Sequence, residues 1–116
     1  MGNVVMIKVK WDLEEAVALC DLYFKSGRTL SIDNDRLNVL FAILKNRATS
    51  KGLVIDEKFR NVTGLKMQIG CIHYIATNGN EGLSNVSKVF YEAYDLYKED
   101  SIKFDKIIED FYCKYK

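Results

Sequence analysis

At 116 residues the chain has the length of one domain, and its 48% hydrophobic fraction is enough for one core. Seventeen basic residues nearly cancel 16 acidic ones, leaving a net charge of +1, so affinity for nucleic acid or membranes does not follow from overall charge and has to come from local clustering. No stretch approaches the roughly 20 apolar residues that span a bilayer. The start, Met1-Gly2-Asn3-Val4-Val5-Met6-Ile7, lacks the basic region and cleavage site of a secretory signal, and Met6 stands where a myristoylation motif needs Ser or Thr. Three widely spaced cysteines, Cys20, Cys71 and Cys113, read as free thiols of a reducing compartment, so the expected location is the cytoplasm.

Residues 3 to 10 alternate irregularly and fit at most a short N-terminal strand. The first helix begins after Asp12, whose carboxylate caps free amides and pairs with Glu15 three residues on in a capping-box pattern. Leu13, Ala16, Val17, Cys20 and Phe24 then recur at helical spacing, and Gly27 stops the run. A second helix starts in the cap-rich Ser31-Ile32-Asp33-Asn34-Asp35, carries Leu37, Leu40, Phe41, Leu44 and Ala48 on one stripe, and ends at Gly52. Residues 53 to 64 form a connector. The third helix is predicted from about Leu65 to Thr77; apolar on most sides, it is expected at the centre of the core. After the turn Asn78-Gly79-Asn80-Glu81-Gly82, Ser84 or Asn85 caps a fourth helix, and Ser101 opens a fifth. The absence of proline suits long helices. The expected architecture is therefore all-α: a single domain over 1–116, a bundle of about five helices.

Catalytic chemistry is poorly provided for. His73 is the only histidine, and Cys71 and His73 diverge on a helix, which makes a shared ligand role unfavourable. The carboxylate pairs Glu14-Glu15, Asp33/Asp35 and Glu99-Asp100 lie at helix ends, where capping explains them. No phosphate-binding glycine loop or nucleophile elbow is present. The expectation is a chain without catalytic residues, metal or cofactor.

The most distinctive stretch is Phe59-Arg60-Asn61-Val62-Thr63-Gly64-Leu65-Lys66, which sets a guanidinium and an amide just before a helix. Arginine forks onto phosphate or guanine, asparagine pairs with adenine, and the amides of the following helix add to an anion site. Lys45, Arg47, Lys51, Lys58 and Lys66 surround it and are expected to contact phosphates, with Gln68 as a further polar contact. This reading requires Arg60 and Asn61 to face solvent. The competing one makes Phe59 a core anchor and Arg60-Asn61 the residues that hold the turn by bonds to backbone. A second surface is the aromatic face of the last two helices, Tyr91, Tyr94, Tyr97, Phe104, Phe111, Tyr112 and Tyr115, suited to core packing or to docking a partner or a second copy.

The run Phe59-Arg60-Asn61-x-x-Gly64, the apolar helix after it, and Glu81-Gly82-Leu83-Ser84-x-x-Ser87-Lys88, together with Trp11 and the Glu15 to Tyr23 helix, resemble the N-terminal helical head domain of McrA-like, modification-dependent HNH restriction endonucleases and related bacterial defence proteins. The family pattern often has lysine where Gln68 stands and asparagine where Cys71 stands, so contacts made there are altered in this chain. No HNH nuclease lies in the chain. The resemblance implies an accessory module that engages double-stranded DNA or couples to a nuclease domain or partner subunit.

Overall fold

A computed structural model describes residues 9–56 and 59–116. They form five helices and no strand: α1 Leu13–Lys25, α2 Asn34–Ser50, α3 Val62–Ala76, α4 Lys88–Glu99 and α5 Ser101–Tyr115. Of the expected N-terminal strand, residues 3–8 lie outside the described residues, as does Lys58, and Val9 and Lys10 are in no strand. No described helix is long and apolar enough to cross a membrane.

Local chemistry sets most of the boundaries. The Asp12 carboxylate accepts from the Glu15 amide at 3.0 Å while Glu15 accepts from the Asp12 amide at 3.2 Å, closing the expected capping box on α1. Asp33 caps α2 and Asp100 caps α5, each with its side chain on a first-turn amide. Gly27 and Gly52, with φ of 87° and 73°, take the left-handed conformation that ends α1 and α2.

Two boundaries differ from expectation. α3 starts at Val62, because Asn61 serves as its cap and Gly64 lies within the first turn rather than at a bend. α4 starts at Lys88 with Ser87 as N-cap, and no side chain caps it.

The central helix is α1, not α3. Every residue from Glu15 to Tyr23 is buried, and α1 packs against α3, α4 and α5 at once. The small side chains of Ala16, Ala18 and Cys20 allow neighbours to approach on several sides, and Leu19 and Tyr23 fill the spaces between them. Phe90, Phe104 and Phe111 close the core from α4 and α5.

α3 buries Leu65, Ile69 and Ile72 but leaves Met67 exposed. Its outer side carries the 78–87 segment as a strap: the Leu83 amide donates to the Gly70 carbonyl at 3.1 Å. A Cβ on Gly82 would stand 2.4 Å from that carbonyl oxygen and 2.7 Å from the Tyr74 nitrogen, so the strap lies this close only because residue 82 is glycine.

Candidate nucleic-acid interface

Arg60 does not face solvent. Its guanidinium forks onto Glu15, Nε donating to Oε2 at 2.8 Å and Nη2 to Oε1 at 3.1 Å, and Nη2 donates again to the Val9 carbonyl at 3.1 Å. The cation lies 3.8 Å from the centre of the Trp11 ring and 4.6 Å from that of Phe59. Side-chain exposure is 9% for Arg60 and 3% for Glu15, so the pair is almost fully dehydrated. A buried charge pair of this kind is tolerated because fork geometry and extra acceptors replace lost water. The backbone carries the cost as well: Arg60 sits at φ 49°, a region unfavourable to a residue with a Cβ, and the bonds to Glu15 and Val9 hold it there.

Asn61 is equally occupied, its side-chain oxygen accepting from the Gly64 amide at 2.9 Å as the N-cap of α3. Arg47 turns inward too. Its Nη2 reaches Asp12 Oδ2 at 2.7 Å, Nε stands 3.5 Å from Glu14 without hydrogen-bond geometry, and the side chain is 7% exposed. Burial works against the Arg47 charge, yet the bond to Asp12 and the fields of Asp12 and Glu14 outweigh it and raise the group above its ordinary value. The arrangement corrects the expectation for Arg60, Asn61 and Arg47. Placing charged and amide groups beside a helix start serves either an external anion or the helix itself, and here the first turn of α1 supplies the carboxylates.

The first turn of α1 therefore lies between the C-terminal part of α2, which brings Arg47, and the start of α3, which brings Arg60. At this same end Lys10 and Lys51, the C-cap of α2, are exposed, as is Lys66 in the early turns of α3. Lys45 is half-buried, its ammonium 5.0 Å over the Phe41 ring, and Gln68 is half-buried on α3. None of these four lysines has a salt bridge among the described residues.

At the other end of α3 lies a chain of hydrogen bonds that spacing did not reveal. Tyr23 Oη, on a residue 1% exposed, is 2.7 Å from His73 Nδ1, and His73 Nε2 is 3.3 Å from Glu81 on the strap. Burial, foremost, pushes the Tyr23 phenol above its ordinary value. Cys71 points elsewhere, its thiol 3.5 Å from the Asn85 carbonyl. The link joins residues 50 positions apart, which no local pattern announces. No group of three or more His, Cys, Asp or Glu side chains among the described residues is placed to hold a metal ion.

The aromatic face of the last two helices is mostly interior. Phe104 and Phe111 are 1% exposed and Tyr94 9%, while Tyr97 stacks on Phe24 with centroids 4.0 Å apart. Tyr91 alone of the set expected there is substantially exposed, at 40%. A dimer seated on both Tyr94 and Phe111 would have to open the core.

No known family, curated protein or solved structure matches the chain.

Proposed function

We propose that this chain is a non-catalytic accessory module of a bacterial restriction or defence nuclease system, and that it touches double-stranded DNA through backbone phosphates only. The observation that carries the reading is the fate of the charges at the Arg47/Arg60 end. Between Arg36 and Lys66 the sequence holds seven basic residues and only Asp56 and Glu57 as acids. Arg47 and Arg60 offset two of the three negative charges of Asp12, Glu14 and Glu15. Lys10, Lys45, Lys51 and Lys66 form no salt bridge among the described residues and outnumber the one carboxylate charge left over in the first turn of α1, on an otherwise near-neutral protein. Lysines on flexible stems suit phosphates and do not discriminate bases. With Arg60 and Asn61 committed to the fold, the guanidinium and the amide best suited to base edges are withdrawn from the surface, and sequence or modification preference is assigned to another part of the system, as is the nuclease. The resemblance of the Trp11, Glu15 and Phe59-Arg60-Asn61 set to the restriction-endonuclease head domain supports the same assignment.

The test is a fluorescence-anisotropy titration of a DNA duplex at several salt concentrations. Each phosphate contact contributes about 0.9 to the slope of log K against log salt. The triple variant Lys45→Ala, Lys51→Ala, Lys66→Ala should bind more weakly and with a slope shallower by about 2–3. Equal affinity and slope in wild type and variant, or no binding by wild type at low salt, would remove the proposal.

A further inference from the structure

Between the C-terminal end of α3 and the outer face of α4 lies an open cleft of about 450 Å3, within the range of roughly 300–1,000 Å3 usual for ligand sites. Tyr74 and Gly79 form one bank; Tyr91, Tyr94, Asp95 and Lys98 form the other. Those four belong to a single face of α4, since they recur at helical spacing. The Gly79 side of the cleft is held by the end of α3, where the Gly79 amide donates to the Tyr74 carbonyl at 2.8 Å. A Cβ at Gly79 would meet the Tyr74 hydroxyl at 3.3 Å, so the ring lies flush against the turn.

The electrostatics of the cleft favour positive charge. Tyrosine rings offer electron-rich faces to a cation, and the C-terminus of a helix carries the negative end of its dipole. No salt bridge among the described residues takes up Asp95. One cation is already there: Lys98 Nζ lies 5.9 Å over the Tyr94 ring. A bare metal ion would need several hard donors, and among the described residues Asp95 is the only carboxylate lining the cleft. A weakly hydrated, bulky ammonium needs rings and one counter-charge. We propose that this cleft binds an alkylated ammonium group, with Tyr74, Tyr91 and Tyr94 as its walls, Asp95 as its counter-charge and Lys98 as the resident that the incoming group displaces. The proposal is independent of DNA contact at the far end of α3.

The test is an amide NMR titration with choline chloride, against sodium chloride at equal concentration, and in a separate arm with a peptide bearing trimethyllysine. Choline should give saturable shifts at Tyr74, Gly79, Tyr91 and Asp95 beyond those of the salt control. Lys98→Ala should tighten choline binding about twofold to fivefold by removing the competing ammonium, while Tyr91→Ala and Asp95→Asn should each weaken it by a similar factor. Saturation by the peptide at lower concentration than choline would assign the group to a methylated side chain; the reverse order would assign it to a free small molecule. The proposal is overturned if choline produces only the shifts of sodium chloride. It is equally overturned if sodium phosphate saturates the cleft and Lys98→Ala abolishes that binding, since this is the behaviour of an anion site.

Discussion

At the N-terminal end of α3 charged side chains turn into the molecule, whereas at its C-terminal end, roughly 22 Å away for 15 residues of helix, polar side chains line an open cleft or straddle the boundary between core and solvent. The first end gathers Arg47, Arg60, Asp12, Glu14 and Glu15 into a clasp that ties α1, α2 and the start of α3 together. The second end uses a backbone contact at Gly82 and the Tyr23–His73–Glu81 chain to hold the strap. A residue pattern that stands out in a sequence does so for the fold at one end, while the other end stands out only when helices are brought together.

Breaking the clasp should have the largest effect. Glu15→Ala or Arg60→Ala leaves a nearly dehydrated charge without its partner, and each should cost about 3–5 kcal/mol, read as a lower urea midpoint. Replacing both at once by Leu and Met should recover a large part of that loss, since the desolvation of two charges goes with them. Equal and additive losses in the double variant would show that the two side chains act independently.

The strap comes next. Gly82→Ala sets a methyl group against the Gly70 carbonyl and the Tyr74 amide at a φ of 93°, for a cost of about 2–4 kcal/mol from crowding and left-handed strain together. Gly52→Ala shares the positive φ but has nothing within 4 Å, so it should cost about 1–2 kcal/mol, the conformational part alone. Thermal melts of the two variants separate close approach from conformation; equal losses would mean that the strap has room to lift.

His73→Ala is the smaller change at the same end. It strands the Tyr23 hydroxyl in the core at a cost of about 1–3 kcal/mol. A Tyr23→Phe, His73→Ala double variant should lose less than the His73→Ala variant if this bond is the reason.

A pH effect belongs to neither end. Burial raises the Cys20 thiol, in the middle of α1, from 9.0 to about 12. Below pH 9 the thiol is protonated in both folded and unfolded chains and its burial is fully favourable. As pH rises from 9 toward about 12 the unfolded chain releases the proton while the folded one keeps it, so stability falls across that window. Tyr23, also raised, adds a loss of the same sign that sets in as the pH passes 10.0, within that window. Cys20→Ala should flatten the lower part of this alkaline decline in chemical denaturation.

How far the sequence foretold this structure depends on the range of the interaction. Asp12 and Glu15, Asp33, Gly27 and Gly52 act within a turn of themselves, and the helix boundaries they imply are present. Asn61 also acts locally, but its oxygen suits a base edge as well as an amide, and taking it as a DNA contact displaced the expected start of α3 by three residues, from Val62 to Leu65. Arg60 meets a partner 45 positions away and His73 one 50 away, and no periodicity encodes such pairings. The centrality of α1 was hidden for a related reason. Its alanines and cysteine permit close approach, whereas the richer apolar content of α3 is partly spent under the strap, where Leu83 covers Gly70.

Arg60 belongs to the fold and not to a nucleic-acid surface. Arginine Nε proton exchange, followed by NMR with and without duplex DNA, addresses this directly. The predicted result is an Arg60 Nε proton protected from solvent by its bond to Glu15, with no shift on adding DNA, while amides around Lys51 and Lys66 move. Rapid exchange of that proton in the free protein, or a shift that follows DNA saturation, would contradict it.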